Sequence, residues 1–152
     1  MQIYVDADAC PVKEILVAEA KRRNIPVTMV ADTSHELYDG YSRVITVDKA
    51  RDSADLKLIN LVRAGDIVVT QDYGVAAMAL SKRAHPIHQS GMLYTSENMD
   101  QLLFERHLGQ KARRSGGRTR GARKRTAGDD RAFEQALCAL LDRLAPGKDR
   151  QL

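Results

Sequence analysis

The stretch MQIYVDADACPVKEILVAEAKRR, Met1 to Arg23, decides how the rest of the chain is read. Gln2 to Val5 is a short apolar, β-prone run that stops at Asp6, and from Pro11 onward Val12, Ile15, Leu16, Ala18 and Ala20 recur with helical spacing. A strand therefore feeds a helix, with Pro11 in the first helical turn, where a missing N–H costs nothing. Further along, Pro26 to Val30, Arg43 to Val47 and Asp66 to Thr70 are short, β-branched runs of the kind that form buried parallel strands. Between and after them, Ala54 to Arg63, Tyr73 to Arg83 and Ser96 to Leu108 read as helices, the first ended by Gly65 and the last opened by Ser96 as its N-cap. Pro86 to His88 and Met92 to Tyr94 read as short edge strands around Gly91. Strand, helix, strand, strand, helix, strand, helix is the rhythm of an α/β fold, a three-layer sandwich with a mostly parallel sheet.

The composition agrees. A chain of 152 residues, 43% hydrophobic, suits one domain, and with 5% aromatics and no Trp its core falls to Val, Ile, Leu, Ala and Met. No run of about 18 apolar residues occurs, which excludes a membrane-spanning helix. Two distant cysteines, Cys10 and Cys138, and a start without a basic, apolar and cleavage-site pattern point to the reducing cytoplasm.

Charge divides the chain. From Met1 to Glu105 there are 11 Lys or Arg against 15 Asp or Glu, whereas Arg106 to Gly128 holds 9 basic residues and no acidic one. The expected organisation is a body over residues 1–110, a basic Gly/Arg arm over 111–128 (KARRSGGRTRGARKRTAG) and a C-terminal helix with a short tail over 129–152, all one domain. The helix carries Phe133, Ala136, Leu137, Leu140, Leu141 and Leu144 as its apolar stripe. Lys111, Arg113, Arg114, Arg118, Arg120, Arg123, Lys124 and Arg125 could follow a phosphate backbone, so a nucleic acid, RNA first, is the expected partner. The bland alternative is an arm that docks on its own acidic body.

Ligands of parallel α/β sheets bind beyond the carboxyl ends of the strands, and there this sequence places aspartates. Asp6 and Asp8 follow strand one, separated by one residue so that both face the same side. Asp52 and Asp55 flank the next helix start, and Asp72 follows strand four. Two carboxylates about 6 Å apart repel by roughly 3 kcal/mol at an effective dielectric near 20, so a gathering of them calls for a cation or shifted pKa values. All-oxygen ligation favours Mg²⁺ or Mn²⁺. Each aspartate also has a plainer use: Asp52 and Asp55 have capping-box spacing, Asp8 could cap the helix opened by Pro11, Asp72 could cap its own helix, and Asp48 begins a polar turn. Thr70 and Gln71 could touch a phosphate or water but serve first as a strand end. Cys10, at a helix N-terminus, could carry a stabilised thiolate but reads better as a small buried thiol. His35, His85, His88 and His107 have neither metal-ligand spacing nor an adjacent nucleophile.

With DADACPVK (Asp6 to Lys13), RDSADLKL (Arg51 to Leu58), GDIVVTQDYGVA (Gly65 to Ala76) and RRSGGRTRG (Arg113 to Gly121), the chain resembles the YaiI/YqxD family of small bacterial proteins. The combination of D-x-D-x-C-P with VTQD downstream is far more specific than either piece. That resemblance implies a PIN-like, nuclease-type fold, in which acidic residues hold a divalent metal for phosphodiester hydrolysis. Carried over by position, Asp6, Asp55 and Asp72 are the implied metal ligands, with Asp8 and Asp52 in support. The additional early-helix Glu of many such nucleases has no match here, and Ala122 and Arg125 stand where the pattern has Pro and an aromatic. The expected function is a metal-dependent nuclease acting on RNA. An RNA- or ribosome-binding protein with a metal-binding pocket and no turnover is the alternative, and the missing Glu favours it. A haloacid dehalogenase-type phosphatase, which also uses D-x-D after strand one, ranks below both because Cys10 and Pro11 follow the pair.

Overall fold

The computed structural model describes residues 1–32, 37–48, 53–114 and 124–145. Five strands, β1 (Ile3–Asp6), β2 (Val27–Ala31), β3 (Arg43–Thr46), β4 (Ile67–Val69) and β5 (His85–Ile87), form one sheet in the order β3-β2-β1-β4-β5. Every neighbouring pair is parallel. The helices are α1 (Lys13–Arg22), α2 (Ala54–Leu61), α3 (Tyr73–Ser81), α4 (Ser96–Arg114) and α5 (Ala127–Leu144).

Alternation along the strands sorts the core into two layers. Ile3, Val5, Val27, Met29, Ile67, Val69 and Ile87 pack with Leu16 and Ala20 of α1 and with Phe133, Leu137, Leu140 and Leu141 of α5. On the opposite face Tyr4, Val30 and Val68 pack with Leu58 and Ile59 of α2 and Val75 and Ala79 of α3. Helix α4 extends the second layer, setting Met99 and Leu102 against Ala76, Ala77 and Leu80 of α3 and against Tyr94. This is the expected three-layer α/β sandwich, with a wholly parallel sheet. Among the described residues no helix is long and apolar enough to cross a membrane.

Several local expectations shift. Gly65 (φ 90°) turns the chain into β4 instead of ending α2, which stops at Leu61 with Lys82 Nζ donating to the carbonyls of Ile59 and Val62 at 2.5 and 3.2 Å. The N-cap of α4 is Thr95: the Asn98 N–H donates to its hydroxyl, and its own N–H to the Asn98 amide oxygen, at 3.1 and 2.9 Å. Ser96 is thus the first helical residue. Met92 to Tyr94 makes only an isolated antiparallel bridge, Leu93 to Ile87. Helix α4 runs on to Arg114, six residues beyond Leu108, because Gln, Lys, Ala and Arg propagate a helix well enough to carry it through Gly109. At its other end the arm meets α5 two residues earlier than expected, where Thr126 and Asp129 form a capping box.

Candidate functional site

In the order β3-β2-β1-β4-β5 the direction of winding reverses between β1 and β4, and a crevice opens at the carboxyl ends of those strands. Asp6 ends β1, and the buried Thr70 and then Asp72 follow β4 directly. The Thr70 hydroxyl donates to Asp6 Oδ2 at 3.1 Å and accepts from the Asp72 N–H at 3.0 Å, tying the two strand ends together. Residues 64 positions apart in sequence thus meet at one point. A narrow pocket with room for about one water-sized group opens among Asp6, Asp8, Cys10, Thr70, Gln71 and Gln89.

Asp8 lies in the turn after β1. The Asp32 N–H donates to its Oδ2 at 2.9 Å, whereas its Oδ1 is buried without a hydrogen-bond donor among the described residues. Asp8 does not cap α1, whose N-cap, Val12, makes no side-chain cap bond. The turn is strained, since Ala9 is held at φ 57°, in the left-handed region that β-carbon sterics disfavour.

Asp55 sits in the first turn of α2, and the cap there is Ser53, whose hydroxyl accepts from the Leu56 N–H at 3.4 Å. The Asp55 carboxylate is therefore not spent on capping. Asp72 does cap: its Oδ1 accepts from the N–H groups of Gly74 and Val75 at 2.8 and 3.1 Å. Asp72 thus caps α3 with one oxygen, as its position allowed, while its charge remains at the crevice.

Electrostatics bind these aspartates into one group. Burial above all pushes the Asp6 carboxyl from 3.8 up to about 6; the Thr70 hydroxyl opposes this, and the charges of Asp55, Asp72 and Asp8 add to it. The Asp55 carboxyl is raised by burial and then by Asp72, Asp32 and Asp8. Asp32, which is not among the expected site residues, belongs to the group, and its place directly after β2 was the signal available. Gln89 was missed as well, since nothing in its neighbourhood marks it. Asp52 lies outside the described residues.

Three observations bear on whether this group suits a divalent cation. Its donors are hard carboxylate oxygens, it contains a buried oxygen lacking a donor among the described residues, and neighbouring charges add to the raised pKa of Asp6 and of Asp55. Among the described residues, however, no three Asp, Glu, His or Cys side chains converge closely enough to enclose an ion by themselves. Such a set fits Mg²⁺ or Mn²⁺ held by one or two carboxylates with water completing the shell, and does not fit an all-protein cage.

Burial pushes the Cys10 thiol up, which argues against a resting thiolate, and the side chain is half-buried against the core instead of fully buried. Of the arm, Arg118, Arg120 and Arg123 lie outside the described residues, and Lys111, Arg113 and Arg114 form the last turn of α4. Lys124 is exposed. Arg125 donates to Asp130 Oδ1 at 2.7 Å and to the carbonyl of Gln89 at 2.9 Å, which brings the C-terminal root of the arm to the rim of the pocket.

Fold and pocket define a class: a three-layer α/β protein with a cluster of aspartates at the switch point of a parallel sheet. The family model described as Uncharacterized BCR, YaiI/YqxD family matches residues 4–143, and the chain belongs to that family. It is 67% identical over 137 residues to a UPF0178 protein of Ruminiclostridium cellulolyticum, covering 90% of both chains. A UPF0178 protein of Alkaliphilus oremlandii is 55% identical, with 93% of this chain and 92% of that one covered. For one of Lachnoclostridium phytofermentans the identity is 54%, with 93% and 97% covered. No solved structure matches the chain.

Proposed function

We propose that the protein is a cytoplasmic, PIN-like, divalent-metal-dependent nuclease acting on RNA. The observation that carries this reading is the joining of Asp6 to Thr70 and Asp72 across β1 and β4, with Asp8 presenting an unpartnered buried oxygen beside them. Asp6, Asp55 and Asp72 are the candidate ligands, of which one or two would hold Mg²⁺ or Mn²⁺ with water completing the shell; when bound, the ion would supply a water of lowered pKa and positive charge beside a phosphate. Asp8, with its buried Oδ1 facing no donor among the described residues, would orient a water in the pocket. Thr70 fixes the Asp6 carboxylate by its hydrogen bond, Asp72 keeps its second oxygen for the site while α3 holds the first, and Arg125, held by Asp130 and the Gln89 carbonyl, fixes the root of the basic arm at the rim of the pocket.

The test uses mixed RNA and Mn²⁺ with the purified protein and an Asp6→Asn/Asp72→Asn double variant. Asn caps helices as well as Asp, so the variant keeps α3 intact. Cleavage by the parent alone supports the nuclease. Cleavage by both proteins betrays a contaminant and leaves the reading without support, and cleavage by neither overturns it. The last outcome favours the second reading, an RNA-binding protein with a metal-binding pocket and without turnover, which draws on the absence of three converging ligands among the described residues.

A further inference from the structure

Helix α4 has two faces. One is buried through Met99 and Leu102 against α3. On the other, Leu103, Phe104 and Leu108 are 44%, 60% and 48% exposed, an apolar patch at the middle of a 19-residue helix. Charge is segregated around that patch. The half before it carries Glu97, Asp100 and Glu105 and no basic residue, and the half after it carries Arg106, Lys111, Arg113 and Arg114 and no acidic one.

We propose that α4 pairs antiparallel with α4 of a second copy of this chain about a two-fold axis. Residues three and four apart share a helix face, so positions 97, 100, 104, 108 and 111 fall on one stripe with 103, 107 and 114 beside it. An axis between Glu105 and Arg106 then sets Leu103 against the partner's Leu108 and Phe104 against the partner's His107. The same axis sets Asp100 against the partner's Lys111 and brings acidic position 97 opposite position 114, which is basic in the sequence. Every acidic position on the stripe meets a basic one, and the apolar residues meet at the centre. This self-complementarity is what an isologous contact requires. A parallel pair would oppose like charges at both ends, and an unrelated protein would give no reason for the mirror symmetry about one point. The stripe of a single helix is at the small end of specific interfaces, so the association is concentration-dependent.

Sedimentation equilibrium of the full chain, from micromolar to hundreds of micromolar, tests this. The parent should pass from monomer to dimer. Phe104→Glu should remain monomeric, with an unchanged far-UV spectrum because the site is exposed. Asp100→Lys and Lys111→Asp should each weaken self-association by about tenfold or more through like-charge contact. An equimolar mixture of those two variants should recover the parental affinity, because each then offers the charge the other lacks. A monomer at every concentration overturns the proposal. So does a dimer that none of these substitutions weakens, or one that the mixture fails to restore.

Discussion

Asp6 is where the cost of the site is concentrated. Its carboxyl is raised from 3.8 to about 6, so between about pH 4 and pH 6 the folded protein keeps a proton that the unfolded chain has already released. Stability therefore falls as pH rises through that window, and the full penalty stands at neutral pH. Asp6→Asn removes the charge while retaining an acceptor for Thr70. Discounting the shift for the residue's partial exposure, the variant should be more stable than the parent by about 1–2 kcal/mol near pH 7.5, with the gap closing toward pH 4. Urea unfolding at the two pH values measures this, and a variant less stable near pH 7.5 would contradict the account. The same carboxyl predicts the metal response: Mn²⁺ should raise the parent's melting temperature far more above pH 6 than below it, since a cation competes with the proton, and should leave Asp6→Asn nearly unmoved. A thermal melt with and without the ion distinguishes these outcomes.

Among the elements, the docking of α5 shows how closely the backbone packs. Gly91 has φ 94°, and a β-carbon there would lie 2.8 Å from the carbonyl oxygen of Ala132 in α5. Gly65 has φ 90° with open space around it. Gly65→Ala should cost about 1–2 kcal/mol from the left-handed backbone alone, and Gly91→Ala about 1–3 kcal/mol more because turn and helix must separate. Equal midpoints in denaturant for the two variants would refute the close approach. Nothing in the sequence around Gly91 distinguishes it from Gly65, since the atom that matters belongs to a helix about forty residues away. Patterns confined to one element were legible: the strand runs, the apolar stripe of α5, and the aspartates at strand ends. What depended on neighbours was not, including the cap of α4 at Thr95, the continuation of that helix to Arg114, and the recruitment of Asp32 through a backbone bond to Asp8. The pair at β1 and the Asp after β4 were readable because parallel topology forces strand ends together. Their connection through Thr70 needed the register of β1 on β4.

At the scale of the whole molecule, an acidic body carries a basic arm, and the arm's C-terminal root is fixed at the pocket. Arg125 is held by Asp130 and by the Gln89 carbonyl, so the arm leaves the rim of the pocket at a defined place and rejoins α4 at Arg114. With Arg125 committed to the body, seven of the eight basic residues named for the arm remain for an external phosphate backbone. Counterion release from a single strand then sets the logarithmic salt slope of RNA binding at no steeper than about −5. Arg118→Gln/Arg120→Gln/Arg123→Gln should flatten it by about 2, and Arg125→Gln should change it least of all while loosening the arm's root. Fluorescence anisotropy of a labelled RNA oligomer between about 50 and 200 mM salt reads both quantities. Because these residues are remote from Asp6 and Asp72 in the chain, the triple variant in metal-free buffer separates grip from chemistry. A slope unchanged by the triple variant would mean that the arm does not carry the RNA, even if the acidic pocket proves to cleave it.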